Sequence, residues 1–551
     1  MTKTFLKILI VLAAAAAPAA LSADTVVFVS HYLERGTMRT EPRPEQIVDV
    51  VRMAAAPGEY EPATVSIRAS KPLEGVRLEI AGALKGEEGQ SIPADALTVR
   101  LVDPLQAWTK QKDLEQLLIR SDGVDIPADT TRRFWITAKV PADAAPGTYR
   151  TTLVVGRPSG KLGPDLMRLQ TIRKLTLELE VLPIALATAA ETGMAFFMYN
   201  NTAYYAKGPG GAEALITEDY QTRVFEDMRE HGMTTATVYL YPDVDGKPAL
   251  DQRRENHLSM TATMRMLDQT RLVAPGLPVI WLGAGAYGPE HWTAVSRARQ
   301  EHGWPELIYY AVDEPEEEDR NVRVRAFMRR FNKYRANHRD FGLRVTTALG
   351  SSRGIQTVGH FYDLWIACMG QRIGESGVIS DAKMHDKELW TYDCMAAPVN
   401  AEMDRYYFGL WAWVSGVRGC SHWAYYDAGP QLSYVHAGPD GPVPTVGWEA
   451  VREGIDDYRY LFTLRRWQQK AAEAGRADLV EAAEQVFARA RSMVTMDSYG
   501  RCFLSVRGVE GEAGPATAYH RPRPEPQLQI EAWDELRQSV VERIQEIAEA
   551  G

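Results

Sequence analysis

Two hydrophobic patterns follow one another along this chain. From about residue 24 to 185, the segments YEPATVSIRA, LTVRLVD, RRFWITAKV, GTYRTTLVV and KLTLELEVL alternate apolar with polar residues and are rich in Val, Thr and Tyr. That is the pattern of strands buried on one face. Pro57-Gly58 and Pro146-Gly147 punctuate them as turns, and helical periodicity is nearly absent. Residues 24–185 therefore predict an all-β sandwich, two layers that bury alternate side chains against each other.

After Pro183 short apolar runs alternate with amphipathic segments. MAFFMYN precedes a helix near 217–231, TATVYLYP one near 256–273, PVIWLGAG one near 290–301 and ELIYYAVDEP one near 315–337. RVTTALG, LWIACMG, ELWTYDCM and CSHWAYYD follow, the last leading to a helix from about Trp448 to Trp467. Regular alternation of this kind demands parallel strands joined by crossovers. Eight strands over residues 190–475 predict a (β/α)8 TIM-like barrel, with a doubly wound open sheet as the alternative. The remainder, 476–551, reads as a mostly helical extension. In its last segment Ile530, Trp533, Leu536, Val540, Val541 and Ile544 fall on one face, as packing against the domains requires.

The first 23 residues have another character. Lys3 and Lys7 precede an apolar stretch from 8 to 19, and Ala20-Leu21-Ser22-Ala23 offers small residues for cleavage. This is the make-up of a secretory signal, and the apolar part is short for a membrane span. An exported protein, periplasmic or secreted and without a stable membrane anchor, is the expectation.

Composition narrows the partners. A net charge of −10, a pI near 5.7 and no cluster of Lys and Arg that stands out argue against nucleic acid and anionic membranes. Four cysteines do not make a disulfide scaffold in a chain of this length. Cys368, Cys394 and Cys420 lie in or beside apolar runs, where buried thiols are expected and a disulfide is the alternative. The 11 histidines show no ligand spacing, so neither a metal nor a cofactor is expected.

In a barrel of this type the active site lies at the C-terminal ends of the strands. Read in order, those ends carry Tyr199 and Asn200, Tyr239 and Tyr241, Trp281, Asp313 and Glu314, Cys368, Tyr392 and Asp393, then Trp423, Tyr425 and Asp427. Aromatic rings and carboxylates dominate, Lys and Arg are nearly missing, and no Gly-rich phosphate loop opens a helix. Sugar rings offer apolar C–H faces to aromatics and hydroxyls to Asp, Asn and Tyr, so this inventory suits a glycan.

The densest of these ends is LIYYAVDEPEEED, residues 307–319. Pro315 suits the first position of a helix, Glu316, Glu317 and Glu318 suit its first turn, and Asp313 suits its N-cap. Glu314 is not explained that way. Strand alternation places it with Tyr310 and Val312 and aims it at the barrel mouth. An adjacent anion and aromatic walls there would favour the protonated carboxyl that a leaving glycosidic oxygen needs.

The strand ending in Asp-Glu-Pro, together with GWEAVREGIDDYRYLFTLRR at 447–466, resembles glycoside hydrolase family 123, the exo-acting β-N-acetylgalactosaminidases and their relatives. PGEYEPATVSIRAS and FWITAKVPADAAPGTYRTTL resemble that family's amino-terminal β-sandwich, so the likeness runs from about 25 to 470. The resemblance implies a substrate-assisted mechanism, in which the 2-acetamido oxygen of the sugar attacks its own anomeric carbon. Glu314 would then act as acid and base, and Asp313 would orient the acetamido N–H. Strand eight departs from the family's expected ending, carrying HWAYYDAGP where Leu-Tyr-Trp would stand. The implication for glycoside hydrolysis is therefore stronger than that for N-acetylgalactosamine.

Two other readings stand beside this one. Glu314 as acid/base with Asp393 as covalent nucleophile, or Asp427 in its place, would need no acetamido group. An exported carbohydrate-binding protein without turnover is the reading outside enzymes.

Overall fold

In the computed structural model, the structure describes residues 24–104, 115–161, 167–200, 217–244, 247–248, 258–368, 377–393, 401–427, 432–496, 502–503 and 530–550. The first sheet is antiparallel and holds, in spatial order, Thr25–Phe28, Tyr60–Ala69, Thr130–Lys139, Leu97–Pro104 and Glu115–Ile119. The second holds Val50–Ala55, Met167–Val181, Gly147–Lys161, Leu73–Ile80 and Val124–Ile126, with two short strands at its side. Val65, Ile67, Leu101 and Ile136 of the first sheet share one core with Val51, Leu78, Leu153 and Leu177 of the second. Alternation decides who enters that core: Val51, Met53 and Ala55 are buried while Arg52 and Ala54 are exposed.

The first sheet is buried on its other face too. Phe134 and Ile136 enter the sandwich core, whereas Trp135 between them joins the barrel's core with Tyr32, Val102 and Leu118. One sheet thus serves two cores, which seats the amino-terminal domain directly on the barrel.

The barrel is closed and excludes the open doubly wound sheet. Its strands are Ala195–Asn200, Thr237–Tyr239, Val279–Leu282, Leu307–Tyr310, Arg344–Leu349, Leu364–Cys368, Glu388–Asp393 and Gly419–Tyr426. Every neighbouring pair is parallel, and strand eight returns to strand one with Gly419 opposite Ala195. Helical segments lie between successive strands and after the eighth, beginning with Glu218–Glu230 and ending with Val446–Glu473. Cys368 and Cys420 are both buried free thiols, and burial pushes the Cys420 thiol up to about 12. Cys394 lies outside the described residues.

The helix after strand four differs from its sequence reading. It runs Glu318–Asn337 with Glu317 at its N-cap, so Pro315 is not its first residue and Asp313 does not cap it. It also corrects the impression that basic residues are dispersed. Between Arg320 and Arg339 the chain carries eight Lys and Arg and no Asp or Glu.

The helix Val446–Glu473 explains the conspicuous stretch at 447–466. Glu449, Arg452, Glu453, Asp456 and Asp457 are all buried along it. Tyr460 donates to Glu59 at 2.8 Å, and Arg459 donates to the Ala187 carbonyl at 2.7 Å. A Cβ at Gly454 would lie 2.4 Å from the Arg405 carbonyl oxygen, so glycine is required for this helix to meet the one at Ala401–Tyr406. The last helix, Ile530–Ala550, buries Ile530, Trp533, Leu536, Val540, Val541 and Ile544, the face its spacing predicts. Among the described residues, no helix is long and apolar enough to cross a membrane.

Candidate active site

Strand four, Leu307–Tyr310, is buried on both faces, and the chain then turns through residues 311–317 before the helix begins. Glu314 sits in this turn with φ of 37°, a left-handed backbone that a glutamate adopts only when its surroundings impose it. The surroundings are specific. Arg320 Nη1 donates to the carbonyl oxygens of Asp313 at 3.1 Å and Glu314 at 3.0 Å. The Glu316 N–H donates to the Glu314 carbonyl at 2.9 Å, and Thr347 Oγ1 donates to the Val312 carbonyl. Strand alternation had aimed Glu314 at the mouth; this turn is what places it there.

Each carboxylate has its own tyrosine. Tyr310 donates its phenolic hydrogen to Asp313 Oδ1, and Tyr392, from strand seven, donates to Glu314 Oε1. Among the described residues, Glu314 Oε2 accepts no hydrogen bond, so one oxygen is clamped and the other is available to a ligand. Burial holds both phenols well above the ordinary tyrosine range; nearby Asp313 adds to this for Tyr310, and Cys368 and then Glu314 add to it for Tyr392. Both therefore stay protonated and act as donors. Asp313 reaches solvent, yet the walls around it remove enough water that burial raises its pKa. The Tyr310 hydrogen bond opposes that rise and the Glu314 charge adds to it. Asp313 is thus held protonated to higher pH than an ordinary aspartate.

Gly350, at the end of strand five, completes the enclosure. A Cβ there would lie 2.6 Å from Glu316 Oε1 and 3.2 Å from Glu314 Cδ. No sequence pattern marks Arg320, Thr347 or Gly350, whose importance lies in where they meet the turn.

The other residues read from the strand ends divide. Tyr199 stands behind the carboxylates, its ring 6.5 Å from Tyr310, 6.1 Å from Tyr392 and 5.3 Å from Trp423. It is buried, so it braces the site's aromatic wall. Trp423 is half-buried and donates its indole N–H to Asp427 Oδ2 at 2.9 Å, giving strand eight an aromatic face with a fixed orientation. Asn200 and Tyr239 line a separate small hollow with Gln221, Tyr241 and Met266, which neither Asp313 nor Glu314 touches.

Three residues lie elsewhere. Trp281 is fully buried, donates to the Leu240 carbonyl at 2.9 Å and packs on Tyr309, so it belongs to the wall. Tyr425 points away from the mouth and donates to Asp227 at 2.8 Å, beside Trp448. Asp393 is 2% exposed, and its carbonyl accepts from His422 Nδ1 at 3.0 Å. Burial holds that histidine neutral, with its pKa lowered to about 4.

The fold and the site define a barrel with two adjacent carboxylates after strand four and an aromatic wall. Comparison with known proteins then places the chain. Residues 38–157 match the glycoside hydrolase 123 N-terminal domain. The whole fold resembles that of a family 123 glycoside hydrolase from Clostridium perfringens, studied for glycolipid glycan hydrolysis. The TM-score is 0.59 at 13% identity, over 95% of this chain and 98% of that one. A broad-specificity GH5-4 endoglucanase from Clostridium longisporum aligns with 50% of this chain and all of its own at 11% identity and a TM-score of 0.34, too weak a likeness to bear on function. No curated protein matches the sequence. Residues 38–157 thus match family 123 by sequence, and the chain as a whole shares the fold of one of its members.

Proposed function

We propose that this protein is an exported, retaining glycoside hydrolase that cleaves terminal β-linked 2-acetamido sugars by substrate assistance. The observation that carries this reading is the pair Asp313 and Glu314, adjacent in one turn and each held by a separate tyrosine. Glu314, with Oε2 unoccupied, protonates the leaving glycosidic oxygen and then takes a proton from the incoming water. Asp313, once ionised, accepts the acetamido N–H and turns the acetamido oxygen toward the anomeric carbon. Trp423 and the tyrosines supply the surface for the sugar's C–H face.

A covalent mechanism needs a second carboxylate across the sugar, in reach of the anomeric carbon. The burial of Asp393 disfavours it for that task, and Asp427 is engaged by the Trp423 indole. Substrate assistance needs no such partner.

The test compares hydrolysis of an aryl 2-acetamido-2-deoxy-β-galactoside with that of the matching β-galactoside. Cleavage of the acetamido sugar alone is expected, with a loss of roughly 100- to 10,000-fold in Glu314→Gln. Cleavage of the plain galactoside would overturn substrate assistance. Binding of glycans without turnover of either would overturn the hydrolase reading.

A further inference from the structure

The helix that follows the catalytic turn carries a charge the rest of the protein does not share. The chain has 62 Lys and Arg against 72 Asp and Glu, yet residues 320–339 hold eight of the former and none of the latter. Some of these cations have structural work. Arg320 holds the turn, Arg325 pairs with Glu318 at 2.6 Å, Arg335 pairs with Asp363 at 2.9 Å, and Arg330 lies over the Trp292 ring at 5.8 Å.

Arg323, Arg329 and Lys333 have none. All three are exposed, and no carboxylate among the described residues lies within ion-pair distance of them. Arg329 and Lys333 are one helical turn apart, and Arg323 to Lys333 spans about 15 Å of helix axis. Arg353, on the next helix, and Arg297, on the preceding one, are also exposed. Unneutralised cations in an acidic protein repel one another in the free state and are relieved by an anionic partner. Two of the three are arginines, whose planar fork suits carboxylate and sulfate oxygens.

Position selects the partner. Arg323 lies in the first turns of a helix whose Arg320 touches the backbone of Asp313 and Glu314, so the stripe starts at the rim of the barrel mouth. A glycan whose terminal sugar occupies the mouth can continue over the rim formed by residues 311–317 onto this stripe. We propose that the exposed face of Glu318–Asn337 binds a polyanionic glycan, carrying sulfate or uronic acid groups, as the remainder of the substrate beyond the cleaved sugar. The choice of a glycan rests on the hydrolase reading.

The probe is dextran sulfate, with neutral dextran for comparison, and the protein is the full mature chain. Despite the net charge of −10, the wild type is expected to bind dextran sulfate, with affinity that falls as salt rises. The triple variant Arg323→Glu/Arg329→Glu/Lys333→Glu should lose at least tenfold in affinity, and the milder Arg323→Gln/Arg329→Gln/Lys333→Gln should lose less. Both should keep the wild-type kcat/KM on the aryl 2-acetamido glycoside, because none of the three touches the site. Equal binding by wild type and triple variant would overturn the proposal. So would binding to anionic phospholipid vesicles or double-stranded DNA as tight as that to dextran sulfate. Loss of aryl-glycoside cleavage in the wild type would count against the hydrolase reading, while the dextran sulfate comparison would still decide the surface.

Discussion

Tyr392 on strand seven donates its phenolic hydrogen to Glu314 after strand four, joining opposite parts of the barrel through the candidate acid/base. A hydrogen bond to a charged group contributes roughly 1.5–3 kcal/mol, equivalent to about a tenfold to hundredfold change. Tyr392→Phe keeps the ring that packs against Tyr199 and removes only that donor. It is expected to lower kcat by this factor with KM changed little, since the bond positions the acid/base of the proposed mechanism. A rise in KM at constant kcat would instead make Tyr392 a substrate contact.

Tyr310→Phe tests the partner carboxylate through pH. The Tyr310 hydrogen bond lowers the pKa of Asp313 against the rise caused by burial and by Glu314. Removing it leaves only the Arg320 charge and the Glu314 backbone N–H to oppose that rise, so Asp313 holds its proton to still higher pH. In the proposed mechanism Asp313 accepts the acetamido N–H as a carboxylate, and the acid limb of kcat/KM should therefore move to higher pH. A limb that stays in place would show that Asp313 does not control it.

How much of this was legible in the sequence depends on the kind of side chain. All eight barrel strands were readable as mainly apolar runs, because strands buried on both faces carry few polar positions to interrupt them. The same uniformity hid which way each residue points. Nothing in CSHWAYYD distinguishes Trp423, at the mouth, from Tyr425, which faces Asp227 outside it. Asp313 and Glu314 stood out because carboxylates at a strand end have no packing role. Their setting did not stand out, because Pro315 and the acids after it satisfy the rules for starting a helix in more than one register. The structure begins that helix at Glu318 and uses the preceding residues as a turn.

Gly350 carries a steric prediction. Its backbone does not need glycine, but a methyl group there would meet Glu316 Oε1 at 2.6 Å and Glu314 Cδ at 3.2 Å. Gly350→Ala should therefore displace the Glu314 carboxyl and lower kcat/KM by about tenfold or more, since a misplaced catalytic group costs rate steeply. Thermal unfolding should stay close to that of the wild type. A large fall in Tm would mean that the methyl group disrupts strand five itself.

The junction of the first sheet, the helix Val446–Glu473 and the last helix makes a prediction about stability. Arg537, on the last helix, is half-buried and meets Asp457 at 2.6 Å, Glu453 at 3.0 Å and Glu61 at 3.5 Å. Removing Arg537 takes one charged donor from Asp457, which keeps Arg405 at 2.7 Å, so Arg537→Ala should cost roughly 1.5–3 kcal/mol in denaturant unfolding. The pH dependence follows from the acids it faces. Burial raises Glu453 to about 8, and burial with neighbouring Asp456 raises Glu59 to about 7, from an ordinary value of 4.5. The folded state then holds protons that the unfolded state has released, so stability is full below pH 4.5 and declines as pH rises through 7 and 8. His422 and His436, lowered to about 4, act in the opposite direction, but only up to their ordinary value of 6.5. Between pH 6.5 and 8 the raised acids act without that opposition, and Tm should fall across this interval. Arg537 lowers the pKa of both glutamates, so in Arg537→Ala they rise further and the decline continues to higher pH. A Tm that rises between pH 6.5 and 8 would mean that these carboxyls are already ionised in the folded protein.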